Sequence, residues 1–286
     1  MRTLKKLKFL VLIFLLFTSF AFAEDAFYQK IIQKENSLQV PEIAKTYYFQ
    51  HLKKPKKVIL LIHGYTCNPL ETKNLGRYLY HKGFDAFGIR LAGHGTKPQD
   101  LKKTTYQDWY RSTEEAYLFL QKKYREVYVF GVSAGALSAL KLAKKYPVSS
   151  LVLEAPFLIP QNKLIYVLTL IYPIFKIFDC NLGYIKANIP ESRSAITYTY
   201  NPLETTLQLV YFAKNSKHEL KKVKCPVLIL HSPVDDVADP KGSWFIYKNI
   251  RSQNKVLIFC GKEHSFLIDY NKEYFDLVGN FLENIK

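Results

Sequence analysis

The 286-residue sequence has no internal repeat and no low-complexity linker, which argues for one domain rather than a string of modules. Cysteine is sparse. Cys67, Cys180, Cys225 and Cys260 are the whole complement, and none has the spacing of a metal knuckle. An exported chain with these four would permit disulfides in three pairings, although a core of this size makes bridges optional. Acidic residues are also scarce: 24 Asp and Glu stand against 41 Lys and Arg, a formal net charge of +17. Such an excess attracts anionic surfaces, phospholipid headgroups among them. The lysines are scattered in pairs, such as Lys102 with Lys103 and Lys144 with Lys145, with no basic arm and no nucleic-acid motif. No nucleic-acid partner is therefore expected.

What the chain does have is apolar residues, 48% of the total, enough to exclude a disordered protein. Residues 1–23 set Arg2, Lys5, Lys6 and Lys8 before an apolar run from Phe9 to Phe17, then end on the A-x-A of Ala21, Phe22 and Ala23. This is the three-part pattern of a cleaved secretory signal. The apolar stretch is shorter than the roughly 20 residues of a spanning helix, so a signal is expected rather than a permanent anchor. No cysteine stands immediately after the cleavage site, so lipoprotein attachment is not indicated. The mature chain is expected to begin near Glu24, in the periplasm or outside the cell. Its 37 Lys and Arg against 24 Asp and Glu give a formal charge of +13.

Residues 24–55 are poorly patterned and predict a short helix and an edge strand. Beyond them, aliphatic runs recur at 58–64, 85–91, 127–133, 151–156, 226–232 and 255–261. Each is short and apolar on both faces, as buried parallel strands are. Helical periodicity fills 107–124, 134–146, 241–251 and 266–285. The alternation predicts an α/β fold, a mainly parallel sheet with helices on both faces. It breaks once, at about 157–222, where an apolar stretch broken by Pro160 and Pro173 precedes a polar, Tyr-rich one. That region reads as a small helical cap inserted over the strand ends of a domain spanning 24–286.

Ligands in such sheets sit beyond the carboxyl ends of the strands. The run 127–131 leads into Gly131-Val132-Ser133-Ala134-Gly135. Small residues two places either side of a serine allow a sharp strand-to-helix turn that pushes its hydroxyl into the cleft. A serine nucleophile needs a base and a carboxylate to orient that base. His264 follows the last predicted strand and is the base candidate. His51, His81 and His218 stand among polar residues, while His63 and His94 suit loop packing. Asp235 is the leading acid, with Asp236 competing for the role; Asp239, before Pro240, suits a helix cap. Glu154 ends a strand, but Ala155-Pro156 leaves it little room to turn inward. The order Ser133, Asp235, His264 is that of an α/β-hydrolase triad. Backbone N–H groups of Ala134 and Tyr65 are the expected oxyanion donors, the latter from the turn after residues 58–62.

The segments "LIHGYTCNP", "IRLAGHGTKPQDLKKTTYQDW", "GVSAG", "CPVLILHSPVDDVADP" and "GKEHSF" together resemble the bacterial carboxylesterases and monoacylglycerol lipases of the α/β-hydrolase superfamily. The resemblance spans about residues 57–285 and is weakest in the cap. It implies Ser133 as nucleophile, Asp235 as acid, His264 as base, and Tyr65 and Ala134 N–H as the oxyanion hole. Those relatives are mostly cytoplasmic, so the signal segment is a departure. The implied activity is hydrolysis of a carboxylic ester, with no metal or organic cofactor. In the cap, Leu164, Ile165, Leu168, Leu170, Ile171, Ile174 and Phe175 are expected to pack onto the sheet and one another; lining an acyl tunnel is the alternative. A small soluble ester and a lipid ester at an anionic membrane surface are equally open as substrates. Acyl transfer and peptide cleavage use the same triad, and a non-catalytic protein on a hydrolase scaffold is the remaining rival. In such a fold Cys225 opens one strand and Cys260 closes its neighbour, further apart than the roughly 7 Å that a disulfide allows.

Overall fold

The computed structural model describes residues 26–53, 56–177, 182–187, 196–262, 264 and 271–284; the expected signal at 1–23 lies outside them. The chain divides into two compact units, Met1–Val40 and Pro41–Lys286. In the first, helix α1 spans residues 26–37 and ends in a turn where Val40 N donates to Glu35 O.

The second unit is built on a seven-stranded sheet. Its strands are β1 (Tyr47–Phe49), β2 (Lys57–Ile62), β3 (Asp85–Ile89), β4 (Glu126–Val132), β5 (Ser150–Glu154), β8 (Val227–His231) and β9 (Lys255–Phe259), in the order β1-β3-β2-β4-β5-β8-β9. Only β1 is antiparallel, pairing with β3 at the edge. The short helix and edge strand expected from residues 24–55 are thus both present. Residues Val58 to Ile62 of β2 are completely buried, the environment their unbroken aliphatic run requires.

Helices α2 (Leu70–His81), α3 (Pro98–Lys102), α4 (Tyr106–Lys123), α5 (Ala134–Lys145), α8 (Lys241–Asn249) and α9 (Lys272–Glu283) follow the strands. Helix α4 opens with a reciprocal cap between Thr105 and Asp108, which satisfies donors left free at a helix start. Helix α5 is buried from Ala134 to Leu140. Its alanines let it lie close against the sheet. This is the mainly parallel α/β architecture that the alternation predicts.

The inserted region is not purely helical. Helices α6 (Leu164–Ile177) and α7 (Leu203–Ser216) flank a two-stranded antiparallel ribbon, β6 (Tyr184–Lys186) with β7 (Tyr200–Pro202). The expected packing of the cap's apolar residues is also corrected. Leu164, Val167, Leu170, Ile174 and Ile177 are each more than half exposed. The physical reason is geometric: among the described residues α6 packs along α7, and one helical neighbour can cover only part of a helix that is apolar all round. Ile165 and Leu168 are half-buried, and the Phe175 side chain lies outside the described residues.

Candidate active site

Ser133 sits between β4 and α5 with φ 54° and ψ −112°, a conformation that a residue bearing a Cβ adopts at a cost. Its surroundings fix it there: Ser133 N donates to Glu154 O at 2.9 Å, and Ser133 O accepts from Phe157 N at 3.3 Å. The flanking glycines are where the chain crosses itself. A Cβ on Gly131 would overlap the Gly135 carbonyl, and one on Gly135 would overlap the carbonyls of Ile62 and His63. Both approaches require the absence of a side chain.

The structure brings Ser133, His264 and Asp235 together. His264 Nε2 lies 2.9 Å from Ser133 Oγ, and its Nδ1 lies 2.7 Å from Asp235 Oδ2. With the imidazole neutral, Nδ1–H donates to the carboxylate and Nε2 accepts from the serine hydroxyl. Asp235 turns back over the sheet because its Oδ1 accepts from the backbone N–H groups of Val237 and Ala238, each at 2.8 Å, a local turn to which aspartate is suited. Burial by itself would raise the Asp235 carboxyl. Hydrogen bonds from His231 and His264 outweigh it and hold the group well below the usual carboxylate range.

The other candidates are placed elsewhere. Asp236 is exposed. Asp239 accepts from Lys241 N at 3.0 Å and from Lys163 Nζ at 3.0 Å, at the start of α8. Glu154 points to Tyr274 Oη. His51 pairs with Asp85 at 2.8 Å, and His81 and His218 are exposed. His63 donates from Nδ1 to Gly64 O at 2.8 Å and accepts from Leu91 N at 3.1 Å. His94 is fully buried against Trp109. Burial pushes its imidazole down to about 4.

The turn after β2 lies against the serine: a Cβ on Gly64 would be 3.5 Å from Ser133 Cβ. Tyr65 N–H makes no hydrogen bond among the described residues. Ala134, the first residue of α5, has no helical acceptor for its N–H. Two residues not singled out in the sequence hold this turn. Buried Glu71 accepts from Gly64 N at 2.7 Å, and the Tyr65 hydroxyl reaches Thr205 of α7 at 2.8 Å. His231 is a third, set against Asp235. An i, i+4 spacing links it to Asp235, but only the fold shows that they face each other. Cys225 and Cys260 are free thiols; Cys180 lies outside the described residues.

The family described as serine aminopeptidase, S33 matches residues 53–271. A thermostable monoacylglycerol lipase from Bacillus sp. (strain H-257) is 27% identical over 221 residues, which is 75% of this chain and 85% of the relative. A carboxylesterase from Bacillus subtilis (strain 168) is 26% identical over 76% of this chain and 87% of its own. Among solved structures, one from work on the metagenome-derived lipolytic enzymes LipS and LipT superposes with a TM-score of 0.73 at 24% identity, covering 85% of this chain and 99% of that one. This last likeness is one of fold.

Proposed function

The chain belongs to the serine aminopeptidase S33 family, and from that premise we propose that it hydrolyses carboxylic esters through an acyl-enzyme on Ser133. Ser133 Oγ attacks the ester carbonyl carbon while His264 Nε2 takes the hydroxyl proton. The negative charge that builds on the carbonyl oxygen is received by the N–H groups of Tyr65 and Ala134. Asp235 holds His264 in the reactive tautomer and stabilises the imidazolium. The C–O bond to the alcohol then breaks, and the alcohol leaves with the proton from His264. Water, deprotonated by the same nitrogen, attacks the acyl-serine and releases the acid.

The observation that carries this reading is the His264 ring, 2.9 Å from Ser133 Oγ on one side and 2.7 Å from Asp235 Oδ2 on the other. Two curated relatives named for ester cleavage favour esters over peptides. The exposed apolar side chains of α6 and the cation excess support a lipid ester taken from an anionic membrane surface. Action outside the cytoplasm rests on the signal pattern of residues 1–23, and N-terminal sequencing of exported protein tests it.

Turnover of p-nitrophenyl esters from two to sixteen carbons, beside an aminoacyl p-nitroanilide, separates the substrates. Ester turnover that rises with chain length and with anionic vesicles supports the lipid reading. Anilide cleavage without ester cleavage would contradict ester hydrolysis.

A further inference from the structure

The N-terminus of α5 follows Ser133; its other end borders a separate cavity of about 410 Å³. That volume falls in the range of small-molecule sites. The cavity lies roughly 12–18 Å from Ser133 along the helix, at 1.5 Å per residue. Four lysines line it: Lys141, Lys144 and Lys145 from α5, and Lys222 from the segment after α7. The remaining lining includes His218, Glu219, Ser216 and the rings of Tyr106 and Phe212, which stack at 5.0 Å.

Part of this charge has local partners. Lys145 pairs with Glu114 at 2.7 Å, and Lys222 pairs with Glu219. Lys144 Nζ donates to the carbonyls of Ser216 and His218 at 3.2 and 3.0 Å, a role that suits a cation near a helix C-terminus. Among the described residues, neither Lys141 nor Lys144 has a carboxylate within ion-pair distance. Lys141 instead lies 4.0 Å from the Tyr110 ring. Burial pushes the Lys144 ammonium down to about 8 against the attraction of Glu219, with smaller repulsions from Lys141 and Lys222 acting in the same direction as burial. Beside them Ser216 Oγ is buried with no hydrogen-bond partner among the described residues, an arrangement that costs free energy until something fills it.

We propose that this cavity binds a phosphate-bearing anion at a site distinct from Ser133. The four ammoniums offer more donors than the two oxygens of a carboxylate can accept. A phosphate brings three terminal oxygens and up to two negative charges, which matches a lining of four lysines and one glutamate. It would neutralise Lys141 and Lys144 together. A turn of the Ser216 side chain would give its hydroxyl an acceptor. The Tyr106 and Phe212 rings provide an apolar wall for whatever carries the phosphate.

The test uses the full mature chain, with inorganic phosphate titrated calorimetrically at ionic strength held constant with sodium chloride. Saturable one-to-one binding is expected, weakened tenfold or more in the double variant Lys141→Gln, Lys222→Gln, which leaves the Lys144 caps in place. Ser216→Ala, a smaller change, is expected to weaken it several-fold. Ester turnover and the melting temperature in chloride should match the parent in both. Sedimentation with phosphatidylcholine vesicles containing phosphatidic acid distinguishes the sources. Lysine-dependent vesicle binding identifies a lipid headgroup, and lysine-dependent binding of phosphate alone identifies a free anion. Absence of saturable binding to either probe, or affinities unchanged in both variants, would overturn the proposal.

Discussion

His231 Nε2 stands 3.1 Å from Asp235 Oδ2, the oxygen that also faces His264 Nδ1 at 2.7 Å. Both side chains of the first pair are fully buried. His231 Nδ1 is 2.6 Å from Ser243 Oγ, and its Nε2 also lies 3.0 Å from Ala238 O. Nε2–H can donate to Asp235 Oδ2, and Nδ1 is paired with the Ser243 hydroxyl. Asp235 is thereby aimed at His264 by a fixed second histidine as well as by two backbone N–H groups.

Asp235→Asn is expected to lower kcat by about 10⁴, because an amide in this place favours the wrong tautomer of His264. Asp236→Asn, at an exposed site, should stay within about twofold. Steady-state kinetics on one ester decides between the two acids. A large loss in the Asp236 variant with an active Asp235 variant would reverse the assignment.

Stability should fall steadily as the solution is acidified below about pH 6.5. Burial, reinforced by repulsion from His94 and Arg90, holds His63 well below its ordinary value, and burial brings His94 to about 4. Between those values and the unfolded value near 6.5, the unfolded chain binds more protons than the folded one, so stability is present above 6.5 and is lost on acidification. Each such histidine contributes a slope of up to about 1.4 kcal/mol per pH unit. Asp235 acts in the same direction below about pH 3.9, since its folded value is depressed. Urea midpoints measured from pH 8 to pH 4 check this; a flat profile from 6.5 to 4 would contradict it.

Gly135→Ala is expected to destabilise the fold by about 3 kcal/mol or more, because the new methyl would meet backbone atoms of β2 that cannot move aside. Ser138→Ala, three residues on and buried with a hydroxyl that has no partner among the described residues, should be neutral or slightly stabilising. Denaturant titration of the two variants provides the contrast.

The strands and the turn at Ser133 were legible because their requirements are local. Val58 to Ile62 must be buried on both faces, and Gly131 and Gly135 must leave room two residues either side of the serine. The cap was harder to read. An apolar run such as 164–177 looks buried, yet among the described residues α6 packs along α7 and keeps five of its apolar side chains more than half exposed. Strands β6 and β7 are three residues each, too short to establish an alternating pattern. Glu71 and His231 escaped notice for another reason. Their partners, Gly64 and Asp235, are close in sequence, but an ordinary glutamate or histidine gains its meaning only when burial aims it at the site.

Ester hydrolysis as proposed requires Ser133 Oγ to be the nucleophile. Treating the purified mature chain with a fluorophosphonate, mapping the adduct by peptide mass spectrometry and following ester turnover in parallel tests it directly. One adduct per chain is expected, on Ser133, with turnover lost in proportion to labelling and no adduct in Ser133→Ala. Ester turnover that persists at full labelling, or survives within tenfold in Ser133→Ala, would contradict it.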